Sequence, residues 1–317
     1  MKGAIPCAKS SFLTAFCAIM IMNLSSKKFI PYYIAAAVII ILAVFAVIII
    51  SAFGSAKPPE TETHTQEPPT LFMNGEVPYY PDIAASAYPE EDFTMNESGR
   101  IEYTDAAVKY TTGVDVSSHQ GNIDWDAVKN DGIDFAVIRI GLRGYGSSGE
   151  IYDDDYSEAN ITGAKEAGLK VGVYFFSQAI TPEEAEEEAD FVVKKLRKIN
   201  EEIDYPVFFD WENEPGKNMR TDNMTGYEMT QCAVAFCEKI KDAGYIPGIY
   251  FNLSYGYAKY DLNSIKDYHF WYAQHEKESP SFYYNYDIWQ YTYKGTVDGI
   301  DTQVDMNISF AEYAAKG

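Results

Sequence analysis

The sequence predicts an α/β domain, an irregular (β/α) barrel of eight strands and about five helices, preceded by a transmembrane helix and a stalk. Three observations predict it. Across residues 111–317, short β-branched and aromatic runs alternate with stretches carrying apolar residues at helical spacing. Residues 29–56 contain no charge. Between these two regions lies a segment rich in proline, threonine and glutamate. With 317 residues, 47% hydrophobic and 23% charged, the chain has enough apolar side chain for a sizeable core, which excludes wholesale disorder.

Taken in order, residues 1–29 form a basic leader. Lys2, Lys9, Lys27 and Lys28 lie there without an acid, while all 47 Asp and Glu follow. Residues 34–50 read IAAAVIIILAVFAVIII, and the run to Phe53 reaches the roughly 20 apolar residues that span a bilayer. A cleaved signal peptide ending near Gly54-Ser55-Ala56 is the alternative, but signal cores usually run about 7–15 residues. The span is therefore taken as 30–54, with the basic flank cytoplasmic and the remainder exported, a single-pass arrangement at the cell membrane. Residues 55–110 hold seven of the 14 prolines, at Pro58, Pro59, Pro68, Pro69, Pro78, Pro81 and Pro89, and read as an extended extracellular stalk. Tyr79 and Tyr80 are candidates to dock on the domain that follows.

Strands are expected at 113–118, 135–141, 170–177, 205–212, 246–252, 269–274, 286–292 and 304–310. Helical patterns fall at 123–131, 156–167, 182–199, 226–243 and, more briefly, 254–265. Thr181-Pro182-Glu183-Glu184 is a helix start, with a capping hydroxyl, proline in the first turn and early acids. Gly132, Gly168 and Gly244 stand where helices end. Strand–helix alternation with apolar strands implies a parallel sheet covered by helices. An open doubly wound sheet is the competing architecture, but no glycine-rich phosphate loop follows the first strand.

Composition narrows the function. A formal charge of −22 excludes the basic footprint of a nucleic-acid binder, and the 26 Tyr and 18 Phe suit sugars better than phosphates. Cys7 and Cys17 fall in the leader, and Cys232 and Cys237 point to different sides of a helix, so no disulfide is expected. Nothing in the sequence has metal-ligand spacing, and neither metal nor cofactor is expected.

In a barrel of this kind the site lies at the carboxyl ends of the strands, where Asp115, Tyr174, Asp210, Glu212, Tyr250, Trp271, Gln290 and Asp305 collect. The sharpest feature is Phe208-Phe209-Asp210-Trp211-Glu212. Alternation along a strand points Asp210 and Glu212 the same way, about 7 Å apart at Cα. Two acids on an inner face are costly unless used, and each favours a proton on the other, as glycosidic bond cleavage requires. The alternative is a solvated loop after the strand. Asp115 and Asp305 become neighbours if the first and last strands adjoin, and four carboxylates then ring one pocket; singly, each could instead stabilise a local turn. His119 is read as ordering the first loop. The acid runs 153–155 and 183–188 are read as solvated faces. The tyrosines at 283, 284 and 286 either line a groove or cover the helix-free side of the barrel.

Gly113-Val-Asp-Val-Ser-Ser-His-Gln-Gly121 with Ile123-Asp-Trp125, then Phe209-Asp-Trp-Glu212, Trp289-Gln-Tyr291 and Val304-Asp-Met-Asn307, resemble glycoside hydrolase family 25. These are the lysozymes first known from fungi and bacteriophages, and the likeness covers about 112–312. It implies a modified barrel of eight strands and five helices. It also implies hydrolysis of the β-1,4 bond from N-acetylmuramic acid to N-acetylglucosamine in peptidoglycan glycan strands. By this resemblance Glu212 is the general acid, Asp210 its partner carboxylate, and Asp115 and Asp305 flank the groove. Tyr174, Trp271 and Gln290 match substrate-groove positions less closely, and Tyr250 is added from its strand-end place. The chain is expected to act as a monomer tethered to the membrane by its N-terminal helix. Two other readings remain: a catalytically silent wall-binding module on the same barrel, and a chitinase-like glycosidase, although Phe208 stands where that relative carries another acid.

Overall fold

A computed structural model describes residues 77–313, apart from 214, 215, 217 and 218. The expected membrane span at 30–54 lies outside the described residues; among these, no helix is long and apolar enough to cross a membrane. The described chain begins with an antiparallel pair, β1 (Phe93–Met95) and β2 (Ile101–Tyr103). There follow β3 (Thr111–Val116), α1 (Trp125–Asn130), β4 (Phe135–Arg143), β5 (Ile151–Asp153), α2 (Ser157–Glu166), β6 (Lys170–Ser177), α3 (Pro182–Ile199) and β7 (Val207–Trp211). The rest is α4 (Gly226–Asp242), β8 (Pro247–Asn252), α5 (Leu253–Ala258), α6 (Leu262–Ile265), β9 (His269–Ala273), β10 (Ile288–Gly295) and β11 (Val304–Ser309).

Local chemistry sets the helix ends. The Thr181 side chain accepts from the Glu184 backbone N–H with Pro182 in the first turn of α3, and Asn200 ends that helix in the left-handed conformation. Thr225 and Glu228 form a reciprocal capping box on α4. Gly132, Gly168 and Gly244 all have positive φ after α1, α2 and α4, as a left-handed helix end needs. The fifth expected helix is two short ones, α5 and α6, because the chain turns at Lys259 to Asp261, and Asp261 caps the second.

Eight strands close a barrel in the order β3-β11-β10-β9-β8-β7-β6-β4, with β4 returning to β3. The short β5 adds antiparallel to the far end of β4. From β3 through β10 the strands run parallel in sequence of position. The expected all-parallel sheet is corrected at the last strand: β11 runs antiparallel to both β10 and β3. The connection from β10 to β11 holds no helix, and without that crossover the chain reverses directly.

Alternation divides each strand between two cores. On β7, Phe209 packs with Phe236 of α4, and Val207 and Trp211 also belong to the helix-side core, while Phe208 faces the barrel interior with Tyr205, Trp271 and Ile288. Glycines make room for the large interior rings. A Cβ on Gly113 would collide with the Phe135 ring, and one on Gly248 with the Phe208 ring. The interior is thus filled by aromatics below and left to polar groups above.

From residue 77 onward the expected stalk is corrected. Tyr80 N–H donates to the Tyr284 hydroxyl at 2.7 Å, and Tyr88 stacks on Phe310 at 3.9 Å. Phe93, Ile101 and Tyr103 are buried in the main core, Phe93 lying 5.4 Å from Trp289 between ring centroids. Proline content signalled an extended chain but not the aromatic surface it covers. The docking read for Tyr79 and Tyr80 holds, since Tyr79 also meets Tyr283 at 6.1 Å. Tyr284 and Tyr286 are buried, so this cluster covers the helix-free side.

Candidate active site

At the carboxyl end of the parallel strands the interior opens into a cavity of about 170 Å³. All eight site residues singled out from sequence line it: the acids Asp115, Asp210, Glu212 and Asp305, with Tyr174, Tyr250, Trp271 and Gln290. Asp210 is buried at the end of β7, and Glu212 follows one residue beyond the strand, partly exposed. Phe208, two residues earlier on the same face, packs at 5.1 Å against Trp271, which lines the pocket.

Asp305 reaches this end for a reason the sequence did not disclose. Because β11 is antiparallel, the carboxyl end of the other strands meets its beginning, and Asp305 is its second residue, in direct register with Asp115 on β3. The two carboxyl groups hydrogen-bond each other. Asp115 Oδ2 also accepts from Gln290 Nε2 and from Asn307 Nδ2, each at 2.8 Å. Burial pushes the Asp115 carboxyl upward against the lowering effect of those amide donors. Burial pushes Asp305 up further, joined by the Asp115 charge beside it. A close pair of enclosed carboxyls cannot both ionise, and the donors favour charge on Asp115, so Asp305 holds the shared proton at neutral pH.

Gln290 links this pair to the rest of the site. Its Nε2 lies 3.2 Å from Asp305 Oδ2 as well, and its Oε1 accepts from the Tyr250 hydroxyl at 3.0 Å. Burial, with Glu212 and Asp210 nearby, raises the Tyr250 phenol well above its usual range, so it stays a hydrogen-bond donor. Trp271 Nε1 donates to Asn307 Oδ1 at 2.8 Å, which turns the Asn307 amide toward Asp115. Below Glu212, Gln178 Nε2 donates to its backbone carbonyl at 2.6 Å, and Trp211 Nε1 donates to the Ala179 carbonyl at 3.0 Å, tying the end of β7 to the loop after β6.

Sequence reasoning missed Arg139, Phe176, Asn307 and His275. Arg139 and Phe176 line the cavity, and Arg139 donates to Asp154 Oδ2 at 2.8 Å and to the Ser118 hydroxyl at 2.9 Å. Its signal was present: a charge in phase with Phe135 and Val137, on the interior face of an apolar strand. That pairing corrects the solvated reading of the acid runs at Asp154, and burial of Glu188 against Arg143 at 2.7 Å corrects it there; Asp153, Asp155, Glu183, Glu186 and Glu187 are exposed, as expected. His275 Nε2 lies 2.8 Å from Gln290 Oε1, a contact no spacing predicts. His119 sits in the turn after β3, its backbone N–H donating to the Ser117 hydroxyl at 3.2 Å. Cys232 and Cys237 are buried and free. Among the described residues, no group of three or more His, Cys, Asp or Glu could hold a metal ion.

Comparison with known proteins gives a consistent picture. The model of the family "Glycosyl hydrolases family 25" matches residues 114–300. The "Autolytic lysozyme" of Clostridium acetobutylicum is 26% identical over 196 residues, 62% of this chain and 54% of that protein. "Lysozyme M1" of Streptomyces globisporus is 41% identical over 66 residues, 21% of this chain and 20% of its own. The chain thus spans about half, or less, of the curated relatives it matches. In fold it is similar to the modular autolysin LytC of Streptococcus pneumoniae, with a TM-score of 0.58 at 21% identity, over 75% of this chain and 57% of that one. A family 25 glycosyl hydrolase of Bacillus anthracis superposes with a TM-score of 0.52 at 22% identity, over 68% and 95%.

Proposed function

The chain belongs to glycosyl hydrolases family 25, and on that premise we propose that it hydrolyses the β-1,4 bond from N-acetylmuramic acid to N-acetylglucosamine in peptidoglycan. The observation that carries the reading is the gathering of Asp115, Asp210, Glu212 and Asp305 around one cavity at the mouth of the barrel. Relatives named as lysozymes support it. In this reading Glu212, at the open rim, protonates the leaving glycosidic oxygen. Asp210, two residues earlier on the same face, orients the substrate's N-acetyl group, whose carbonyl oxygen attacks the anomeric carbon. Water then opens that intermediate and the β configuration is retained.

The rival route needs an ionised base at Asp115 or Asp305 to activate water for inversion. Both are poor candidates. Asp305 holds a proton, and Asp115 is enclosed with its Oδ2 occupied by two amide donors. Together they are better suited to shaping the floor of the sugar site. A zymogram followed by mass analysis of the products tests the activity: new reducing ends on N-acetylmuramic acid are expected. Clearing without them, or no clearing, would refute it.

We also propose that residues 30–54 anchor the enzyme, with the barrel outside the cell, where its substrate lies. The uncharged run and its lysine flank support this. Protease added to protoplasts is expected to release a soluble barrel fragment; protection until lysis would overturn the topology.

A further inference from the structure

The acid pair depends on how the Gln290 side chain is turned. Carboxylates only accept, so the amide must present Nε2 to Asp115 and Asp305, leaving Oε1 to face Tyr250 and His275. An amide oxygen only accepts in its turn, so the imidazole nitrogen 2.8 Å away carries a hydrogen. The Tyr250 hydroxyl rotates and can donate or accept, so it would serve either amide orientation.

The imidazole is held in place by its surroundings. Gln274 N–H donates to the Gln290 carbonyl at 3.1 Å, and Glu276 N–H to the Tyr291 carbonyl at 3.2 Å. Trp289 Nε1 donates to the Gln274 carbonyl at 3.0 Å. Glu276 sits at φ 56°, a conformation costly for a residue with a side chain, and its carboxylate is paired with Lys294 of β10. The His275 ring meets the Tyr293 ring edge-on at 5.2 Å. A positive charge on the imidazole lowers the carboxyls of Asp115 on β3 and of Glu276 beside it in the loop.

We infer that His275 is a positioning residue for the acid pair: by donating Nε2–H to Gln290 Oε1 it keeps the Gln290 amide hydrogens on Asp115 and Asp305. Without the imidazole, Oε1 keeps only a rotatable partner, the amide turns, and the pair loses donors that stabilise its charged form. The pair then ionises at higher pH.

The activity test rests on the lysozyme reading and uses the full chain with His275→Phe, which keeps a ring but removes the donor, and His275→Gln, which restores one. A charged Asp115 beside the sugar site favours the positive charge that develops at the anomeric carbon, so in His275→Phe kcat on peptidoglycan is expected to fall roughly tenfold with KM held within about twofold, and the acidic limb of kcat/KM to move up by at least ~0.5 pH unit. His275→Gln is expected to recover both. An unchanged limb in His275→Phe, or His275→Gln impaired to the same degree, overturns the inference. The pH dependence of the thermal midpoint follows the same pair without turnover. If the wild-type chain leaves peptidoglycan intact, the lysozyme reading fails; a midpoint curve displaced in His275→Phe then upholds the positioning role, and an unmoved curve overturns it.

Discussion

Replacing Asp305 by Asn separates a proton holder from a catalytic base. A protonated Asp305 and an asparagine are nearly the same shape: each can donate to Asp115 and accept from Gln290 Nε2. They differ in what folding demands of them. The Asp305 carboxyl rises from its ordinary 3.8 to about 9 in the folded chain, so the fold favours the protonated form. The stability this contributes is fully present below pH 3.8 and is lost as pH rises toward 9. The loss reaches roughly 4 kcal/mol at pH 7 if Asp305 carries the proton alone, at about 1.4 kcal/mol per pH unit. Asp305→Asn avoids it, so the variant should melt at least ~4 °C higher than wild type at pH 7, with no gain near pH 4. Thermal unfolding across pH 4–9 measures this, alongside turnover of peptidoglycan, which should stay within about tenfold of wild type. A variant that melts no higher at pH 7 would refute the placement of the proton. An activity loss of about 1000-fold with an intact fold would refute the assisted mechanism and return the base role to Asp305.

Glu212→Gln should lose at least ~1000-fold in kcat with an unchanged melting temperature, since a carboxamide at the partly exposed rim cannot donate the proton; activity within tenfold would remove Glu212 as the acid. The first product formed should be the β anomer by proton NMR, and de-N-acetylated glycan should react poorly; an α product would contradict participation by the acetyl group. Phe93→Ala should destabilise the barrel by about 3 kcal/mol, because the ring is buried among Tyr103, Trp289 and Phe310. A chain beginning at residue 111 should melt well below one beginning at 77, and equal melting would show that residues 77–110 only rest on the surface.

Much of the candidate site was legible because its residues occupy regular phases of buried strands. Asp210 and Glu212 announce themselves as acids at alternate positions after Val207, Phe208 and Phe209, and Asp115 stands in the same relation to its strand. Arg139 carried the same signal and could have been read by the same rule. Asn307, in phase with Asp305 on the last strand, carried it too, though its partner was not legible; His275 could not be read at all. Asn307 matters through the hydrogen bond that turns it toward Asp115, and His275 through a loop whose backbone is clamped to β10. Neither contact has a periodicity.

The sequence by itself determined the order of the eight barrel strands and their helices, the helix caps, the end of the barrel where chemistry gathers and the acids Asp115, Asp210 and Glu212. All follow from local propensity and from alternation between neighbouring residues, which act over a few positions along the chain. Only the tertiary structure decided that the last strand runs antiparallel, that residues 77–110 belong to the folded body, and that Asp115 and Asp305 meet in direct register. Those outcomes depend on which distant surfaces meet, and those meetings come into being only when the barrel closes.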